Sequence, residues 1–203
     1  EYDALNRPVE TRSACLPGQP DYHHDGVNLY NVVSRTYYDS MGRAIASVQN
    51  FEDNGVSATD GILELTNERN FITRTYYDGL GRVEYTVSNF AGDISDPIPP
   101  DYDPAAPDRN IVTRMFYDGQ GRQIATARNY DALVAGLPGP LADGALSWSE
   151  ALSANDLNLV TRSYFNARGQ VSATVTNFVG NINDGSATPP VFDPAQPDYN
   201  LIT

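Results

Sequence analysis

The sequence predicts an all-β fold: tandem β-hairpins stacked side by side in one continuous, twisted antiparallel sheet, with long Pro/Asp-rich linkers between them. Three observations predict it. A six-residue turn motif recurs five times within 203 residues. Each copy is flanked by segments rich in β-branched and aromatic residues, which suit a pleated, half-buried surface. The stretches between these units are rich in proline, glycine and aspartate, which break regular structure.

The turn motif reads Tyr2-Asp3-Ala4-Leu5-Asn6-Arg7, then Tyr38-Asp39-Ser40-Met41-Gly42-Arg43, Tyr77-Asp78-Gly79-Leu80-Gly81-Arg82 and Tyr117-Asp118-Gly119-Gln120-Gly121-Arg122. A degraded fifth copy is Phe165-Asn166-Ala167-Arg168-Gly169-Gln170. The first residues of successive copies are 36, 39, 40 and 48 positions apart. About five hairpin units follow, over approximately 1–30, 31–69, 70–109, 110–157 and 158–203.

Reversing a chain within a few residues needs positive φ, which glycine adopts without a Cβ penalty. The aspartate bonds its own downstream backbone, and the arginine after the turn can reach back to it. Tyr38, Asp39, Gly42, Arg43, Tyr77, Asp78, Gly81, Arg82, Tyr117, Asp118, Gly121 and Arg122 are therefore read as turn chemistry, not as catalytic pairs. Gly81 and Gly121 are expected at positive φ. In the fifth copy, loss of the acid and the arginine removes that contact.

Upstream of the turns a second element recurs: Asn31-Val32-Val33-Ser34-Arg35, Asn70-Phe71-Ile72-Thr73-Arg74, Asn110-Ile111-Val112-Thr113-Arg114 and Asn158-Leu159-Val160-Thr161-Arg162. Downstream lies a third, Thr86-Val87-Ser88-Asn89-Phe90, echoed at Thr126–Tyr130 and Thr174–Phe178. In this segment Val83, Tyr85 and Val87 are expected on one face and Glu84, Thr86 and Ser88 on the other. The equivalent apolar sets are Ala44, Ala46, Val48 and Val171, Ala173, Val175. Ser47, Thr86, Thr126 and Thr174 align on the opposite face, which becomes a hydroxyl-lined, wetter side.

A lone hairpin does not bury enough surface to offset the ordering of its chain, so neighbouring hairpins must supply area and ladder hydrogen bonds. Stacking lines up Tyr38, Tyr77 and Tyr117 in one row and Arg35, Arg74, Arg114 and Arg162 in another. The arginine row calls for counter-charges, which the acidic composition can provide. The runner-up fold is a β-propeller, because about forty residues is also a blade period. It is disfavoured because each unit shows two clear strands where a blade needs four.

Two connections share a pattern, Pro99-Pro100-Asp101-Tyr102-Asp103-Pro104 and Pro189-Pro190-Val191-Phe192-Asp193-Pro194. Proline makes them extended loops, with Tyr102 and Phe192 as expected anchors on the sheet. In the longest connection, Ser147-Trp148-Ser149-Glu150 reads as a capping box opening a short helix, with Trp148 covering apolar sheet.

The formal net charge of −13 argues against nucleic acid or an anionic membrane surface as a partner. The 13 basic residues are all arginine, so lysine isopeptide and Schiff-base chemistry are excluded. The single cysteine, Cys15, forms no disulfide within the chain and is expected to be a buried or partly buried thiol. No stretch has the apolar length of a membrane span. His23-His24-Asp25 has a metal-like look but no third or fourth ligand. Asp93, Asp96, Asp101, Asp103 and Asp108 would suit calcium if gathered around it, yet they lack EF-hand spacing and read as a solvated acidic loop. No other cofactor is expected. No nucleophile elbow, phosphate loop or dinucleotide fingerprint occurs, so an enzyme is not expected.

The Tyr-Asp-x-x-Gly-Arg turn between two β-rich segments resembles the YD repeat of RHS and teneurin-like proteins, and the resemblance covers essentially the whole chain. It implies a non-catalytic, extracellular or cell-surface structural segment of a fibre, sheath or shell wall. The alternatives are a fragment of a closed cocoon around a toxin, and a carbohydrate-binding surface on which tyrosine rows stack against sugar rings. The chain opens within a motif and ends within a strand. It is therefore expected to belong to a longer array, or to continue head-to-tail into another copy of itself, with residues 1–12 and 200–203 at opposite ends of the sheet.

Overall fold

The computed structural model describes residues 1–15, 23–24, 29–30, 32–51, 70–103, 105–131, 145–146, 159–178, 180–182, 185–191, 194 and 200–203. Its main feature is a ten-stranded antiparallel sheet. In spatial order the strands are β1 (Glu10–Ser13), β4 (Val32–Tyr38), β5 (Ala44–Gln49), β6 (Phe71–Tyr77), β7 (Val83–Ser88), β8 (Ile111–Tyr117), β9 (Gln123–Arg128), β11 (Leu159–Phe165), β12 (Val171–Thr176) and β14 (Leu201–Ile202). The connections add two short ribbons. One pairs β2 (His23–His24) with β3 (Leu29–Tyr30), and the other pairs β10 (Ala145–Leu146) with β13 (Gly180–Asn181). The ten strands lie in one open sheet with β1 and β14 at opposite ends, so the four-stranded blades of a propeller are not formed.

Two kinds of pairing alternate along the sheet. Within a hairpin, β6 and β7 pair through Arg74↔Val87, Thr75↔Thr86 and Tyr76↔Tyr85, and then shift to Tyr77↔Val83. The shift leaves Glu84 as the extra residue of a β-bulge, and the same shift occurs in the other three hairpins. Between hairpins the register runs from Gln49↔Phe71 to Ala46↔Arg74, from Ser88↔Ile111 to Tyr85↔Arg114, and from Arg128↔Leu159 to Ala125↔Arg162. Each of these inter-hairpin registers stops at the arginine.

The bulge corrects the expected alternation. Val48, Val87, Val175, Ala46 and Ala127 are buried on one face. Ala44, by contrast, is exposed, Val83 is only partly covered and Val171 is 57% exposed. The extra residue interrupts the two-residue period on the turn side, and it brings Ile124 against the core.

The core lies between one face of the sheet and the residues that enter each connection. Phe51, Phe90, Tyr130 and Phe178 fold back onto that face, joined by Ile94 and Ile182, and all six are buried. An asparagine starts each return. Asn50, Asn89, Asn129 and Asn177 adopt φ between 49° and 51°, a left-handed conformation that asparagine tolerates better than other non-glycine residues. The next amide then bonds the incoming strand of the same hairpin, as in Phe90 N–H to the Ile72 carbonyl at 3.0 Å. Asn70, Asn110 and Asn200 are also left-handed, and they close the far end of the connections. Their amides donate to the carbonyls of Asn50, Asn89 and Asn177 at 3.0, 3.1 and 3.0 Å.

The opposite face is polar. Thr36, Ser47 and Thr73 stand in one cross-strand row, Thr75, Thr86 and Thr113 in the next, and Thr126 faces Thr161.

Some expectations fall elsewhere. Cys15 is exposed, not buried, because it follows the outermost strand β1 rather than a core element. Tyr102 is half-buried, and the buried anchors are the aromatics after each asparagine. Phe192 and the Ser147–Glu150 segment with Trp148 lie outside the described residues.

Candidate functional site

The recurring motif residues gather along two lines of the sheet. The first is the turn edge. Asp39 Oδ1 accepts the backbone N–H groups of Met41 and Arg43, and its Oδ2 accepts the Arg43 guanidinium Nε at 2.7 Å. Asp78 with Arg82 and Asp118 with Arg122 repeat this geometry, each with a 2.7 Å Nε contact. Asp3 holds Arg7 in the same way. Gly42, Gly81 and Gly121 sit at φ 82°, 79° and 80°, and Asn6 takes the glycine position at φ 60°. The turn carboxylates titrate below the usual range. In Asp3 and Asp39 the backbone N–H of the following arginine is the main cause. In Asp78 and Asp118 burial works in the opposite direction, and the hydrogen bonds from Arg82 and Arg122 outweigh it.

The fifth turn keeps the fold of the others with neutral groups. Asn166 Oδ1 accepts the N–H groups of Arg168 and Gln170, and Asn166 Nδ2 donates to Gln170 Oε1 at 3.2 Å. Gly169 remains at φ 76°.

Each turn arginine also reaches the next hairpin. Arg7, Arg43 and Arg82 lie over the rings of Tyr38, Tyr77 and Tyr117, at 4.3, 4.4 and 4.3 Å from the centroids. These three tyrosines donate their hydroxyls to the carbonyls of Pro8, Ala44 and Val83, the residues just after those arginines. One guanidinium is thus ion-paired within its own hairpin and stacked on its neighbour, a use that suits its planar charge.

The second line is the row of Arg35, Arg74, Arg114 and Arg162. It runs along the covered face rather than the open one, and Arg74 and Arg162 are only 6% and 3% exposed. The expectation of acidic counter-charges holds in part. Arg35 pairs with Glu10 at 2.9 Å and Arg114 with Glu84 at 3.4 Å. Arg74 instead donates Nη1 to the carbonyls of Ile45 and Thr75 at 2.8 and 2.6 Å, and makes no ion pair among the described residues. The reason is position: the core face is built of aliphatic and aromatic groups, so carbonyls and ring faces do the compensating. Arg35 lies 3.7 Å from the Phe51 centroid, Arg74 4.5 Å from Tyr76, and Arg162 4.6 Å from Tyr164. Arg114 donates to the Tyr130 hydroxyl at 2.8 Å. Burial lowers the Arg74 guanidinium from its ordinary value and pushes the Tyr76 and Tyr85 phenols up to about 12.

The candidate cation ligands are not brought together. Asp93, Asp96 and Asp103 each turn back on their own chain, accepting the N–H of Ser95, Ile98 and Ala105. Among the described residues no group of three acidic, histidine or cysteine side chains forms a metal-sized cluster. The side chains of His23 and His24, and Asp25 entirely, lie outside the described residues.

Sequence reading missed the left-handed asparagines, although the recurrence of Asn50, Asn70, Asn89, Asn110 and Asn129 was visible. A recurring Asn directly before a large apolar or aromatic residue and outside any glycosylation pattern is the signal that could have found them.

The chain matches no known family model, and a comparison with curated proteins finds no relative.

Proposed function

We propose that this chain is a non-catalytic structural segment of the YD-repeat (RHS) kind, serving as wall material in an extracellular or cell-surface fibre, sheath or shell. The observation that carries this reading is the double use of the turn arginines. Arg43 and Arg82 each tie their own turn and clamp the tyrosine of the next hairpin, so the repeated motif fastens hairpin to hairpin. In the three intact copies the tyrosine, aspartate and arginine side chains are all engaged in the sheet. One face of Tyr38, Tyr77 and Tyr117 carries a guanidinium, which favours the structural role over a sugar-stacking platform. The outer strands β1 and β14 are edges to which further hairpins of the array, or another copy of the chain, would add by strand pairing. Neither nucleic acid nor a membrane-spanning helix belongs to this reading, and no described helix is long and apolar enough to cross a membrane.

Electron microscopy of material from the native source, located with an antibody to this segment, tests the proposal. Labelled filaments or sheaths support the fibre reading. Labelled hollow capsules support the alternative of a closed cocoon around a toxin. Label confined to dispersed particles of single-chain size overturns both.

A further inference from the structure

The four joints between neighbouring hairpins are not equally fastened on their turn side. At three of them a tyrosine lies under the preceding turn arginine and donates its hydroxyl to a carbonyl of that turn strand, at 2.9, 2.7 and 2.7 Å. At the fourth joint, β9–β11, Arg122 still covers the ring, 4.4 Å from the centroid, but the ring is Phe165. The carbonyl of Gln123 therefore receives no phenol hydroxyl. The turn of the same hairpin carries the neutral Asn166–Gln170 pair in place of an ion pair. A cavity of about 390 Å³ lies against this joint, lined among others by Arg122, Ile124, Tyr164, Phe165 and Ile182. A cavity of about 400 Å³ also lies at the β1–β4 joint, but there the Tyr38 hydroxyl bonds across the joint and the Asp39–Arg43 ion pair ties the next turn, and neither has a counterpart here. The inter-hairpin register stops at Ala125↔Arg162, so beyond that pair side chains alone hold the two turns together. On the connection side the same hairpin is closed, because Val160, Val175 and Phe178 are fully or almost fully buried.

We infer that the turn-side half of the β9–β11 joint is a flex point built into the array. There the turn of hairpin β11–β12 lifts from the turn of β8–β9, while Val160, Val175 and Phe178 keep the other half seated. Segments with fewer fixed contacts open first and on their own, and a missing hydrogen bond and a missing ion pair coincide at this one place with unfilled space. Bending or parting of the sheet is thereby confined to one joint instead of being shared among four. This inference goes beyond the structural role proposed above and does not depend on it.

Amide hydrogen exchange on the full chain tests it. Asn166 and Gly169, whose amides bond within the fifth turn, exchange faster than the equivalent Asp78, Gly81, Asp118 and Gly121. Phe165→Tyr supplies the hydroxyl that the other joints have and slows Asn166 and Gly169 by roughly fivefold, the effect of one hydrogen bond. It leaves Asn166 and Gln170 untouched, so the change reports the joint and not the turn chemistry. Tyr117→Phe does the converse and speeds Asp118 and Gly121 by a similar factor. Equal exchange in all the turns, or an unaltered fifth turn in Phe165→Tyr, overturns the inference.

Discussion

Arg82 lies over the ring of Tyr117, 4.3 Å from its centroid, and the Tyr117 hydroxyl donates at 2.7 Å to the carbonyl of Val83, the residue after that arginine. The two side chains form a reciprocal clasp between successive hairpins. A double-mutant cycle of Arg82→Ala and Tyr117→Leu, read by denaturant unfolding, is expected to give a coupling of about 0.5–1 kcal/mol, the range for a partly exposed cation–π pair. Additive effects of the two changes would remove the clasp from the account.

The turn glycines differ in what they tolerate. Gly81 sits at φ 79°, so Gly81→Val is expected to destabilise by about 1–3 kcal/mol through backbone strain. Gly79, in the same turn, has open space where a Cβ would go, and Gly79→Ala is expected to be neutral or to stabilise by up to about 1 kcal/mol. Melting midpoints of the two variants check the contrast.

Asn110 combines a left-handed backbone at φ 52° with side-chain bonds to both the N–H and the carbonyl of Ala91. Asn110→Ala is expected to cost about 2–3 kcal/mol, from strain and lost hydrogen bonds together. Asn110→Gly keeps the backbone and should lose roughly half of that. A smaller loss for alanine than for glycine in urea unfolding would contradict the assignment.

Phe90 is 2% exposed and Tyr102 is half-buried. Phe90→Ala is therefore expected to cost about 3–5 kcal/mol, whereas Tyr102→Ala should cost less than about 1.5 kcal/mol. Thermal unfolding of the two variants tells whether the connection is anchored at its entry or at its middle.

The turn carboxylates bring an acid dependence of known sign. Asp3, Asp39, Asp78 and Asp118 are depressed in the folded chain. The stability they contribute is fully present above the unfolded carboxyl value of about 3.9, and is lost as pH falls through their lower folded values. The melting midpoint should thus fall steeply below about pH 4. Asp78→Asn combined with Arg82→Gln copies the natural fifth turn and should flatten part of that slope while the hairpin stays formed. An unchanged slope would place the acid sensitivity elsewhere.

The strands and turns were legible because their signals are local. Tyr77-Asp78-x-x-Gly81-Arg82 states its turn in six residues, and the flanking β-branched residues state the strands. The sheet order also followed, since hairpins in tandem pair most simply with their neighbours. Three features escaped. The bulges at Glu84 and Ser172 leave no mark in the sequence, and they move Val83 and Val171 out of the expected face. The arginine row was visible, but its place on the covered face was not, because Arg74 draws on carbonyls and ring faces that come together only in the folded sheet. The asparagines were seen to recur, yet their conformation is fixed by the return of Phe90 and its equivalents onto the sheet.

Among the described residues, the asparagine pairs Asn50–Asn70, Asn89–Asn110 and Asn177–Asn200 close three of the connections at their base. In each of them the core side chains that follow the first asparagine, such as Phe90 and Ile94, are buried, and the backbone bond to the second asparagine closes the loop beyond them. Such a junction makes the outer part of these three connections, between the buried residues and the closing asparagine, an exchangeable cassette. A foreign epitope or a small folded insert placed in that outer part would be displayed beside the sheet, and evolution has the same freedom to diversify what the array carries without redesigning the scaffold.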